Sequence, residues 1–420
     1  MNIYTIIILS FITMVYIVKT LANFLNLKNI SNNIPEEFDE YFNGIKYAKS
    51  QQYLKENTKF SIISSTFILI VQVFFIIIGG YNYVNNVATS LGFGTILTGL
   101  IFTWILFLSF EIIKIPFSAY SIFVIEEKFG FNKMNVKIFI SDFIKSLIIT
   151  IVVGSIVFST TTWFFINVSK NAWIYIFIII IIFKLIIIFI APVVIMPLFN
   201  KYTPLEEGEL KTAVEKYTKQ ENFKMKGLFK MDNSKRSTKS NAFFTGFSKY
   251  RRIVLFDTLI KKHTVEELTS ILAHEMGHFK LGHIIKQMIF SFFSTGIMLF
   301  ILSLFINKIW LYKAFLMQTQ PIYAGIVFFD FLYAPISLII SIISNYFSRK
   351  YEYEADSYSV TTYKHPKDMV NALKKLSVDN FSNLYPHSFK VFLEYSHPPI
   401  LKRIKAIKKI KLTSENNNVF

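Results

Sequence analysis

Seven stretches of this chain are long and apolar enough to cross a bilayer: residues 2–18, 60–80, 91–110, 144–167, 173–197, 284–306 and 321–345. A spanning helix needs about 20 mostly apolar residues, and these runs lack the polar stripe of a helix with one face in water. An odd number of spans places the two termini on opposite sides. The short connections at 81–90, 168–172 and 307–320 carry only Lys170, Lys308 and Lys313, whereas segment 19–59 alone holds six lysines. Segments 111–143, 198–283 and 346–420 are also rich in Lys and Arg. Basic loops stay on the cytoplasmic side, so the amino terminus is expected outside and the carboxyl terminus in the cytoplasm. The first 20 residues lack a basic leader and a small-residue cleavage site, and read as a retained helix rather than a signal peptide.

The polar segments divide the chain into a five-helix membrane region at 1–197, a polar region at 198–283, two further spans at 284–345 and a C-terminal region at 346–420. The first polar region starts with a helical pattern from Leu205 to about Gln220. It continues with two β-like runs, 241–248 and 252–257, expected to form a hairpin closed around Lys249 and Tyr250. Glu111, Lys114, Lys184 and Asp330 fall within or beside apolar runs, where a charge is costly unless it meets water or a partner. For Glu111 and Lys114 an interfacial position is an equal alternative. Lys184 and Asp330 sit nearer mid-span and point to a water-filled interior.

Composition strengthens the membrane assignment. Hydrophobic residues make up 53% and charged residues 17% of the 420, against about 25% charge in a soluble domain. Disorder and coiled coil are excluded by the same figures. The net charge of +18 suits cytoplasmic loops facing anionic lipid, and with no nucleic-acid motif present no nucleic-acid partner is expected. Cysteine is absent, so any metal must be held by His and carboxylates.

The sharpest chemical signal is His274-Glu275-Met276-Gly277-His278. Thr264 and Glu267 have the spacing of a capping box, and Leu268, Ile271 and Leu272 continue a helical apolar pattern. Residues four apart share a helix face, so His274 and His278 reach one ion while Glu275 stands beside them to take a proton from water. His283 does not fit the spacing of a third histidine ligand and reads as supporting or structural. A carboxylate from another helix is the usual completion. Glu352 and Asp356 are four apart just after the last span, with Glu352 expected as the ligand, Asp356 as the carboxylate orienting a ligand histidine, and Glu354 pointing away. If the helix from Thr264 runs on into the span at 284–306, the metal lies within roughly 10 Å of the apolar zone. A lipid-anchored substrate suits such a site.

At this point the chain resembles the type I CAAX prenyl proteases, membrane zinc metallopeptidases that process farnesylated proteins. The likeness runs through FVIEEKFGFN at 123–132, PLFNKYTPL at 197–205, SKRS at 234–237, SNAFF at 240–244 and RIVLFDTL at 252–259. It continues through HEMGHFKLGH at 274–283, YEYEAD at 351–356 and SHPP at 396–399. The resemblance implies a mainly α polytopic fold: seven helices enclosing a water-filled chamber, with a small α+β zinc-peptidase region split between 198–283 and 346–420. It implies one Zn2+ per chain held by His274, His278 and Glu352, with Glu275 as catalytic base and His397 and Arg403 stabilising the oxyanion. Asn241 and Phe243 are expected to bind substrate, the strand around 241–246 pairing with an extended peptide. The implied partner is a prenylated CAAX protein, cut by a monomer in the endoplasmic reticulum or bacterial inner membrane.

Read without that likeness, His397 before Pro398-Pro399 merely closes a helix, Asn241 opens a strand, and Glu126 and Glu127 are a solvated pair. The tail 400–412 reads as a basic amphipathic helix lying on lipid or on the catalytic core. Two rival functions share the residues: a quality-control metalloprotease acting on unprenylated membrane proteins, and a transporter whose metal is structural.

Overall fold

The computed structural model describes residues 2–168, 171–246 and 252–410. Seven helices in it are long and apolar enough to span a membrane: α1 (Ile3–Lys28), α2 (Gly44–Ile77), α3 (Thr95–Phe129), α4 (Val136–Asn167) and α5 (Ala172–Phe199), followed later in the chain by α8 (His283–Phe305) and α9 (Ile322–Tyr363). All seven expected spans are present, and most helices outrun them. The side chains of Asn2, Asn43 and Asn135 cap α1, α2 and α4 by accepting from the third residue on. Helices α3 and α5 each contain a π-helical stretch, Ser121–Glu126 and Ala191–Ile195, the first just beyond Pro116 and the second at Pro192. Proline removes a ladder bond and loosens the turns around it.

Each span packs on the next, and α9 returns to pack on α1, α3 and α4, so the helices form a closed ring. At most 22% of the most apolar stretch of any span is buried, far less than a solid bundle requires. Inside the ring, recesses of about 470 and 390 Å³ share Tyr16, Ser61 and Ser65 and are lined further by Gln72, Lys114, Ser118 and Ser341. Glu111 and Lys114 pair at 2.9 Å and, with Asp142, border another recess. Lys184 donates to Ser291 and Thr295 of α8. Asp330 is exposed four residues before Ala334, which lines the largest of these recesses.

The polar regions join into one α+β body. Between α5 and α8 lie α6 (Glu209–Gln220), α7 (Val265–Lys280) and a four-stranded sheet. Its strands are β1 (Tyr202–Pro204), β2 (Gly227–Met231), β3 (Ala242–Thr245) and β4 (Arg252–Phe256), in the order β1-β2-β4-β3. Strands β3 and β4 form the expected antiparallel pair, with Phe243 opposite Val254, while the turn at Lys249 and Tyr250 lies outside the described residues. The sheet exceeds the expected hairpin because β2 adds in parallel to β4, and β1 adds antiparallel to β2. The C-terminal region supplies α10 (Pro366–Asp379), α11 (Ser388–Glu394) and α12 (Ile400–Lys408). Ile404 and Ile407 of α12 are buried beside Phe38, Met369 and Leu373, which docks the basic tail helix on the protein core. Glu126 and Glu127 are engaged rather than merely solvated: Glu126 accepts from Tyr53 and pairs with Lys239, and Glu127 accepts from Asn132.

Candidate metal centre and active site

Helix α7 starts as its sequence requires. Thr264 and Glu267 close a reciprocal capping box, and Glu267 also meets His263 and Lys375. Leu268 and Leu272 bury one face in the core formed with Val214, Ile253 and Leu255, which fixes the helix against the sheet. The other face meets α9. Gly277 permits that contact: a Cβ there would lie 3.1 Å from the Ala355 backbone and 3.1 Å from Tyr358 Cβ. Helix α9 has 42 residues, roughly 63 Å in length, about twice the hydrocarbon thickness of a bilayer. Its projecting end carries Glu352 and Asp356 to α7.

The motif helix does not run on into the span. α7 ends at Lys280, Gly282 takes a left-handed φ of +70°, and α8 begins anew at His283. Glycine adopts that conformation without a Cβ penalty, so the chain turns between the motif and the span.

Three side chains from the two helices converge. His274 Nε2 and His278 Nε2 are 3.2 Å apart; Glu352 places Oε1 3.2 Å from His278 and Oε2 3.5 Å from His274. Atoms bound tetrahedrally at about 2.0–2.1 Å from one ion lie about 3.3–3.4 Å from each other, so the spacing suits a single small cation. Glu352 Oε2 is buried and accepts no hydrogen bond from the described residues, although Arg403 Nη1 lies 3.0 Å away. Two imidazoles, a carboxylate and one orphaned oxygen fit a divalent metal.

The surroundings hold these groups in place. Asp356 Oδ1 sits 2.9 Å from His274 Nδ1, the position expected of an orienting carboxylate. Burial opposes the charged form of the His274 ring, but hydrogen bonds to Asp356 and Glu352 outweigh it and lift its pKa to about 9, so the pocket favours positive charge at this point. Arg403, expected at the oxyanion, is engaged by carboxylates: Nε and Nη2 reach Asp356 at 2.8 and 2.6 Å, and Nη1 faces Glu352. Burial pushes the Glu275 carboxyl above its ordinary range, which suits a group that must both take and return a proton.

His397 Nε2 lies 3.4 Å from Glu352 Oε1, yet its side chain is 66% exposed, so open space adjoins the ligands on that side. Strand β3 packs on α7 at the sheet edge. Ala242 and Phe244 face the core; Phe243 stands on the opposite face, edge-on to Phe256, and Asn241 is exposed where β3 opens. The structure thus gathers His274, Glu275, His278, Glu352, Asp356, His397 and Arg403, and leaves Asn241 and Phe243 on the neighbouring strand. His283 takes the supporting place expected of it, whereas Glu354, expected to point away, contacts His283 beside His278. The glycine before His283 was the signal that could have found that contact.

Seven membrane-spanning helices joined to a polar body that carries a His-His-Glu site, with a glutamate beside it, define an integral-membrane metallopeptidase. Residues 23–201 match the family described as CAAX prenyl protease N-terminal, five membrane helices, and residues 204–411 match peptidase family M48. The chain is 38% identical to the probable CAAX prenyl protease 1 of Schizosaccharomyces pombe, over 91% of this chain and 83% of that one. It is 30% identical to CAAX prenyl protease 1 of Saccharomyces cerevisiae, over 91% and 90%. The crystal structure of S. mikatae Ste24p superposes with a TM-score of 0.92 at 30% identity, covering 97% of this chain and 99% of that one. The chain belongs to the CAAX prenyl protease 1 family of M48 metallopeptidases.

Proposed function

We propose that this protein is a zinc metalloendopeptidase that removes the last three residues after a prenylated cysteine in CAAX proteins. The observation carrying the reading is the His274–His278–Glu352 cluster, built on one helix that leads into a span and another that emerges from one. Those three residues would hold one Zn2+ per chain. When bound, the ion supplies Lewis acidity towards water and the scissile carbonyl. Glu275 takes a proton from the attacking water and delivers it to the leaving amine nitrogen, so the acyl product gains the hydroxyl and the tripeptide its amine. His397 Nε2 donates to the developing oxyanion from the open side of the site. Arg403 holds Asp356 and Glu352, and so acts on the reaction through the ligands. The exposed edge of β3, from Asn241 through Phe243, pairs with the substrate backbone in extended form. The protein acts as a monomer with its C-terminus in the cytoplasm, in the endoplasmic reticulum of a eukaryote or the inner membrane of a bacterium.

Detergent-purified protein incubated with a farnesylated CAAX peptide is expected to release the tripeptide, and the unprenylated twin to be cut far more slowly. Glu275→Gln should lose at least about 10²-fold in rate while keeping its zinc. Equal cleavage of both peptides would instead assign general membrane proteolysis. No cleavage by a zinc-loaded protein would make the metal structural.

A further inference from the structure

His283 lies five residues beyond His278, and the chemistry above leaves it unused. In an uninterrupted helix the two would stand roughly 140° apart around the axis. The turn at Gly282 brings them together: Nδ1 of His283 lies 3.1 Å from Nδ1 of His278. His283 is 1% exposed, its ring stacks on Tyr351 at 4.4 Å, and its Nε2 is 2.9 Å from Oε2 of Glu354. The other oxygen of Glu354 faces Lys350 at 3.8 Å.

We propose that His283 and Glu354 are positioning residues that fix the tautomer and orientation of His278 as a metal ligand, a proposal resting on the metallopeptidase reading of the site. The hydrogen-bond inventory admits one consistent arrangement. His278 Nε2 faces His274 and Glu352, so it must offer a lone pair, and its ring proton belongs on Nδ1. That proton is donated to Nδ1 of His283, which then carries its own proton on Nε2 and donates it to Glu354. With the first bond reversed, His278 would be protonated on the atom facing the metal, and His283 would present a bare nitrogen to a carboxylate. The two ligand histidines are thus oriented by parallel devices: His274 directly by Asp356 at 2.9 Å, His278 through an intervening ring. Such outer partners raise ligand basicity and typically govern 10–100-fold of metal affinity.

The test is the zinc dissociation constant of the full-length protein in detergent, measured by chelator competition, with the thermal midpoint recorded alongside. Glu354→Leu, at a position one-third exposed, is expected to fold and to bind zinc about 10-fold or more weakly. Glu354→Gln, whose carbonyl still accepts from His283, should recover part of that loss, and His283→Leu should lose the most. A purely structural role would lower the thermal midpoint and leave zinc affinity alone. Unchanged affinity in folded Glu354→Leu, or equal losses in the Leu and Gln variants, overturns the proposal. Wild-type protein that fails to hold zinc defeats the metallopeptidase reading itself, so the two failures are distinguishable.

Discussion

Arg403 shows how one side chain couples the tail of the chain to its chemistry. Its guanidinium spans Asp356 and Glu352, both on α9, while its helix neighbours Ile404 and Ile407 are buried in the core. A lysine brings one point charge and no fork, so it cannot satisfy both carboxylates. Arg403→Lys is therefore expected to lose on the order of 3 kcal/mol of stability and to bind zinc more weakly. A thermal midpoint and a zinc titration check both effects, and an unchanged titration would reduce Arg403 to packing. At this scale the ligands were legible because four-residue spacing dictates a shared helix face. Arg403's engagement with Asp356 was not, since 47 residues separate them.

The element that matters most is α7, held at its start by charge and along its length by close packing. Burial pushes Glu267 upward, but His263, Lys375 and the Thr264 N–H more than offset it and hold its carboxyl below the usual range. A depressed folded pKa means this contribution is complete above about pH 4.3 and is lost as the pH falls through the folded value. Glu267→Ala should cost about 1–2 kcal/mol at neutral pH and shrink the acid-side loss of stability, read from thermal midpoints across pH. Gly277→Val places branched carbons against the Ala355 backbone, forcing α7 and α9 apart and separating His278 from Glu352. Zinc binding and activity should collapse together while the membrane helices persist by circular dichroism. The helix start at Thr264 was readable from its capping box. The strands β1 and β2 were not, because three and five residues carry too little alternation to stand out.

For the whole molecule, the orientation expected from where lysine and arginine fall puts the lysine-poor connections outside. The absence of cysteine makes single-cysteine labelling direct. In sealed vesicles with the cytoplasmic face outward, Lys364→Cys should react with an impermeant maleimide, and Asn86→Cys, exposed on the lysine-poor side, only after permeabilisation. The reverse pattern would invert the topology and put the metal site outside.

Span number, the impossibility of a cysteine-held metal and the three residues that could hold one were legible in the sequence alone, because bilayer thickness and helix periodicity act on neighbouring residues. Only the tertiary structure decided that the helices close into a ring bordered by recesses with polar side chains, that α7 breaks at Gly282 so that His283 faces His278, and that Arg403 binds the α9 carboxylates. Those contacts join residues far apart in the chain, or turn on a single backbone angle. No local pattern of apolar and polar positions encodes either.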